Sequence, residues 1–262
     1  MERIPDDPAE RRAWLQRWAA DQEERIGQRE QRPARRWKRV ARRIESEAER
    51  LDWYLDRGLN TSLHEYGVPE IAAVEGVVYL PTPWHVLPRA LHALRASQED
   101  VLVDFGCGKG RIVHQAAKRP LRRVIGVEIS PTLAGFAQSL VTAHRHEYRC
   151  RDVQITVGDA AQFAVPDDLT ITFMFDPFRG RTMDAVLRSL IESIDRQPRR
   201  LSLIYVNPTE GGRVLATERF RLVRWLRGGL RDVRISRVAI FEGIAEAGAA
   251  RRSCPGFEVK RS

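Results

Sequence analysis

Cysteine is scarce in this 262-residue chain. The three present, Cys107, Cys150 and Cys254, stand at spacings that fit neither a disulfide framework nor a metal site. A reduced, cytoplasmic compartment is the expectation for such a chain. No apolar run approaches the roughly 20 residues of a membrane span, so no membrane partner is expected. The polar, charged N-terminus lacks the apolar stretch of a secretory leader. No G-x-x-x-x-G-K-[ST] occurs, which excludes a Walker-type nucleotide loop. The six histidines (His64, His85, His92, His114, His144 and His146) show no metal pattern. No internal repeat is visible.

Apolar residues make up 43% of the chain, enough for one large domain or one domain with an appendage. The net charge is +9 and unevenly spread: residues 181–262 hold 17 basic side chains against 9 acidic ones. Residues 32–43 carry seven Lys or Arg and no acid. Such a run suits phosphates or an acidic partner as well as it suits a solvated helix face. Net charge alone does not establish a nucleic-acid partner.

Periodicity divides the chain. Helices are expected over 8–30 and 34–57, with Trp14, Trp18 and Trp37 as packing residues and Pro33 as the break between them. A loop-rich connector ends in Tyr79-Leu-Pro-Thr-Pro83. Thr82 suits a helix N-cap and Pro83 the first helical position, which predicts a helix over 83–96. From there strands and helices alternate: strand 101–105, helix 109–119, strand 123–129, helix 131–147, strand 153–158, strand 170–176, helix 181–196 and strand 201–206. Segments 220–225 and 233–241 alternate with period two, as antiparallel strands with one wet face do. The expected fold is α/β, a doubly wound, mostly parallel seven-stranded sheet with an antiparallel end strand and an N-terminal helical extension. The expected organisation is an arm over 1–57, a connector and covering helix over 58–98, a core over 99–245 and a tail over 246–262.

The densest signal is Val101-Leu-Val-Asp-Phe-Gly-Cys-Gly-Lys-Gly-Arg-Ile-Val113. Gly106, Gly108 and Gly110 let a backbone turn tightly and approach a ligand. A dinucleotide fingerprint needs G-x-G-x-x-G/A, whereas here the last position of that pattern is Arg111. The carboxylate of Asp104 would repel a pyrophosphate and suits a ligand that presents a cation. Ligands of such sheets bind outside the carboxyl ends of the strands. After the second strand comes Gly126-Val-Glu-Ile-Ser130, where Glu128 can accept from both hydroxyls of a ribose. After the third comes Gly158-Asp-Ala160, where Asp159 and the backbone of Ala160 can meet an adenine. The fourth ends in Phe173-Met-Phe-Asp-Pro-Phe178.

Asp104-x-Gly-x-Gly-x-Gly after a strand resembles the first motif of class I S-adenosylmethionine (SAM)-dependent methyltransferases. The order of elements matches their seven-stranded, Rossmann-like fold. Tyr79-Leu-Pro-Thr-Pro83 ahead of that motif is similar to a bacterial group of these enzymes and, more loosely, to seven-stranded lysine methyltransferases. The resemblance covers roughly residues 55–210 and implies SAM as cofactor. It implies a cofactor set of Tyr79, Thr82, Asp104, Gly106, Cys107, Gly108, Gly110, Glu128, Ile129, Asp159 and Ala160. Many nitrogen methyltransferases carry Asn/Asp-Pro-Pro-Tyr/Phe after the fourth strand. Asp176, Pro177 and Phe178 resemble a form of it lacking one proline, and by resemblance they are the catalytic set, with Asp176 positioning the target amine.

Three functions follow as expectations. The first is direct in-line methyl transfer to a protein or small-molecule amine. The second is methylation of an RNA or DNA base, with the Arg-rich surface on the backbone and Phe178 on the base. The third is a non-catalytic module that binds SAM or a partner. The N-terminal helices could also join two copies of the chain.

Overall fold

The computed structural model describes residues 81–227 and 237–245, together with Asp56, Leu59 and Thr61. The expected helices at 8–30 and most of 34–57, candidate Tyr79 and the tail from 246 lie outside the described residues.

The first described helix is α1, Val86–Leu94. The alternating core follows: β1, Val101–Phe105; α2, Arg111–Ala117; β2, Arg123–Glu128; α3, Pro131–His144; β3, Asp152–Val157; β4, Ile171–Phe175; α4, Gly180–Arg196; β5, Ser202–Val206; α5, Gly211–Ala216; β6, Phe220–Arg227; β7, Arg237–Gly243. The seven strands form one sheet in the order β3-β2-β1-β4-β5-β7-β6. β1 to β5 run parallel, and β7 pairs antiparallel with both β5 and β6. The chain order reverses at β1 and β4, which pair directly. That pair is the topological switch point, where ligands of such sheets bind.

Strand period places the core on both faces. Val101, Val103 and Phe105 join one apolar cluster with Met174, Met183, Leu187, Leu190 and Leu203, beneath α4. Leu102 and Val124 join the other, with Leu87, Leu91, Ile112 and Val113 of α1 and α2. Full burial of each such side chain contributes roughly 1.5–3 kcal/mol. Asp104 alternates onto the same face as Leu102, so a carboxylate enters a sheet whose β1 residues are all buried. Ser130 caps α3 as its sequence suggests, its side chain accepting from Leu133 N at 3.3 Å ahead of Pro131.

The expected cap at Thr82 does not form. The helix begins three residues late, at Val86, with no side-chain cap, and Pro83-Trp84-His85 makes a turn closed by Val86 N on the Pro83 carbonyl at 3.1 Å. Arg111 meets the chain at this point. Its guanidinium bonds the Thr82 carbonyl at 3.1 Å and Thr61 Oγ1 at 2.8 Å, and it pairs with Asp56 at 3.3 Å. Arg111, Asp56, Thr61 and Thr82 are all buried. A cation at a helix N-terminus is electrostatically disfavoured, and here a buried acid from upstream offsets it. The short helix α5 was not expected from the sequence.

Candidate active site

The carboxyl ends of β3, β2, β1 and β4 carry Asp159, Glu128, Asp104 and Asp176 in that spatial order. Sequence spacing alone scatters these residues over 73 positions, and the sheet brings them to one edge.

The loop after β1 folds back on β2. Gly106 N and Cys107 N both donate to the Val127 carbonyl, at 2.9 and 3.0 Å. Gly106, at φ +73°, takes a left-handed turn, and a Cβ there would lie 2.9 Å from the Pro177 side chain. Gly110, at φ +83°, presses equally close on Ala137 of α3. The glycines are therefore required twice, for handedness and for contact. The Pro177 contact also joins the loop to the segment after β4. Cys107 is buried, and burial together with the nearby acids raises its thiol pKa. That leaves it a packed thiol, not a nucleophile.

Glu128 organises the loop. Its Oε2 accepts from Gly108 N at 2.8 Å and its Oε1 from Ser130 N at 3.0 Å. Each oxygen keeps a second lone pair. Burial raises its pKa despite these bonds. Asp104 is 3% exposed, and burial followed by the like charge of Glu128 holds its pKa well above the usual carboxylate range. The cation of the loop, Lys109, is turned away: its ammonium lies 4.8 Å from the ring centroid of Phe136 on α3. Ile129 stands next to Glu128 with its side chain exposed. Gly158 N donates to the Glu128 carbonyl at 2.9 Å, which joins the ends of β2 and β3. Asp159 Oδ1 caps the following turn through Ala161 N at 2.8 Å, and Ala160 is buried beneath it.

A second cluster lies across the switch point. Asp176 has φ +47° and Asn207 φ +49°, and each precedes a proline at the end of its strand. Left-handed backbone at a non-glycine residue costs roughly 1–3 kcal/mol and gathers at functional sites. The Asp176 carboxylate is held from several sides. Tyr205 OH and Thr209 Oγ1 donate to Oδ1 at 2.9 and 2.5 Å. Arg179 forms a fork, Nη1 to Oδ1 and Nη2 to Oδ2, both at 2.8 Å. Burial, then the Asp176 charge, pushes the Tyr205 phenol pKa up, so it remains a donor. Phe178 packs edge-on against Phe105, ring centroids 6.3 Å apart. Thr82 stands at the Arg111 junction, with Trp84 beside it at 5.2 Å from the guanidinium.

Sequence reading missed Arg111, Arg179, Tyr205 and Thr209. Arg111 lies inside the first motif and Arg179 directly follows the second, and neither position signals a charge partner by itself. Tyr205 and Thr209 flank Asn207-Pro208, a second polar-Pro pair at a strand end, which could have flagged them.

The residues fit a phosphate-free cationic nucleoside. Two buried acids meet at the glycine loop, while Lys109, the loop's own cation, faces α3. A pyrophosphate would meet negative charge where it needs positive.

Comparison with known proteins agrees. A family model described as a methyltransferase domain matches residues 102–196. A protein-lysine N-methyltransferase of Saccharolobus islandicus (strain REY15A) is 45% identical over 58 residues, 22% of this chain and 36% of that relative. The match thus spans about a third of that relative's length. A SAM-dependent methyltransferase from Aquifex aeolicus superposes with a TM-score of 0.52 at 12% identity, over 69% of this chain and all of that one. It shares the fold. An RNA methyltransferase from Salinibacter ruber, solved with S-adenosylhomocysteine, gives a TM-score of 0.45 at 20% identity, over 64% of this chain and 95% of that one. Among the described residues, no helix is long and apolar enough to cross a membrane. Residues 102–196 thus match a methyltransferase domain, within a Rossmann-like fold that the Aquifex S-adenosylmethionine-dependent methyltransferase shares.

Proposed function

We propose that the chain methylates an amine nitrogen of a protein or a small molecule. The observation that carries this reading is the juxtaposition of the two acidic clusters, with Pro177 of one in contact with Gly106 of the other. A methyl donor and an acceptor held in those places would be neighbours.

When bound, SAM supplies a methyl carbon that takes the acceptor's lone pair as its bond to the sulfonium breaks and a neutral thioether leaves. Asp104 and the loop from Gly106 to Gly110, Cys107 included, are assigned the cationic end. Glu128 is assigned the ribose, and Ile129, Asp159 and Ala160 the base. Tyr79 and Thr82 are assigned to the segment that covers the cofactor. Asp176 and the main-chain carbonyls beside Pro177 orient the acceptor nitrogen, and Phe178 walls the site. Asp176 already accepts from Tyr205, Thr209 and Arg179, so it positions the amine and does not serve as its base. A lysine acceptor sheds its proton to solvent, at a cost of about 4–5 kcal/mol at pH 7. Alignment and exclusion of water can offset roughly 7–11 kcal/mol of a barrier.

The name of the Saccharolobus relative, a protein-lysine N-methyltransferase, supports an amine acceptor. Among the described residues of the Arg-rich C-terminal part, Arg196, Arg213, Arg219 and Arg221 each pair with a carboxylate, so these four are not free for a nucleic-acid backbone. The test is transfer of labelled methyl from SAM into a lysate, separated into protein, RNA and metabolites. Label on amine nitrogens of protein or metabolites is expected. Label confined to RNA would contradict the proposal.

A further inference from the structure

We propose that Arg179 is an internal stand-in for the acceptor cation, and that a substrate ammonium or guanidinium group enters by displacing it from Asp176. The inference rests on the amine-acceptor reading and names the gate of that same site.

The Asp-Pro-Phe segment offers three acceptors close together: the Asp176 carboxylate and the carbonyls of Asp176 and Phe178. Arg179 takes them all. Besides its fork on the carboxylate, Nη1 reaches the Asp176 carbonyl at 3.3 Å and the Phe178 carbonyl at 3.0 Å. A protonated amine needs the same set, acceptors with no competing donor. The helix does not draw Arg179 there. The residue stands at the N-cap of α4, the end where a cation is disfavoured, so its position is set by the oxygens.

The attachment is also suited to release. The Arg179 side chain is 47% exposed, against 15% for Asp176, and an exposed ion pair shifts an equilibrium by only roughly fivefold or less. The two oxygens of Asp176 differ. Oδ1 is held by Tyr205 and Thr209 as well as by Arg179, while Oδ2 is bonded by Arg179. When the guanidinium swings out, Tyr205 and Thr209 keep the carboxylate in place and Oδ2 is freed for the newcomer.

The probe is n-butylammonium, a lysine side-chain analogue, titrated into full-length protein saturated with S-adenosylhomocysteine and followed by amide NMR shifts of residues 106–110 and 176–180. Arg179→Ala is expected to bind it roughly two- to fivefold more tightly than wild type. Methylguanidinium should compete in the variant far better than in wild type. Equal or weaker binding in the variant would overturn the gate. So would inorganic phosphate that binds wild type and is lost in the variant, because Arg179 would then be an anion contact. Arg179→Gln, which keeps polar packing, repeats the test if the alanine variant does not fold. Failure of S-adenosylhomocysteine to bind wild type would instead remove the underlying reading and leave the gate without a site.

Discussion

Two acidic clusters share one edge of the sheet, and they are built in opposite ways. At the ends of β1 and β2, Asp104 and Glu128 are buried, and the charge that acts most on Asp104 is that of its neighbour acid. Across the switch point, Asp176 is partly exposed and gathers a tyrosine, a threonine and an arginine. Burying a charge without a partner is expensive. The first cluster therefore makes physical sense as half of an ion pair whose other half arrives with the ligand. The second is complete without a ligand and must be opened. On the proposed reading, one edge holds a site preset for the donor and a site kept closed against the acceptor.

The contrast can be broken most sharply at Asp176. Asp176→Asn keeps a residue that tolerates left-handed backbone but loses the ion pair with Arg179 and one acceptor oxygen. Methyl transfer should fall by roughly a hundredfold, the scale of lost alignment, while S-adenosylhomocysteine affinity in calorimetry stays within about twofold. Parallel loss of both would mean that the two clusters are not separate. Gly106→Ala strikes the joint between them. A Cβ at φ +73° and 2.9 Å from Pro177 should lower unfolding stability by roughly 1–3 kcal/mol in a denaturant titration. It should also weaken both donor binding and turnover.

A smaller effect distinguishes the clusters by pH. The folded-state pKa of Asp104 lies above its unfolded value, so the folded protein binds that proton more tightly. Its ionisation therefore costs stability as pH rises above about 3.9. Asp104→Asn should raise the ligand-free Tm at neutral pH by roughly 2–4 °C, about 1 kcal/mol. That gain should shrink as pH falls toward 4. A gain that stays constant with pH would show that charge is not the cause.

Much of this arrangement was legible in the chain. Alternating apolar runs fixed the strands, and glycines and acids at their ends marked Asp104, Glu128 and Asp159. Period two even assigns Asp104 to a face. What escaped reading was the partner of each charge. Arg111 looks like one more solvated arginine, yet it is 2% exposed and meets Asp56 from 55 residues upstream. Arg179 lies three residues beyond Asp176, and past the left-handed turn at Asp176 its guanidinium returns onto the carboxylate. At Thr82 the local capping rule fails, and what the residue does offer is its carbonyl, to Arg111 from 29 residues downstream. Local rules describe elements well and tertiary pairing poorly.

The central claim is that buried acids at the ends of β1 and β2 receive the positively charged nucleoside. Calorimetric titration of S-adenosylmethionine into wild type, Asp104→Ala and Glu128→Ala tests it most directly. One site per chain is expected in wild type, weakened roughly 10- to 100-fold in each variant with the fold retained by circular dichroism. Unchanged affinity in both variants, or a nicotinamide dinucleotide binding in its place, would contradict the claim.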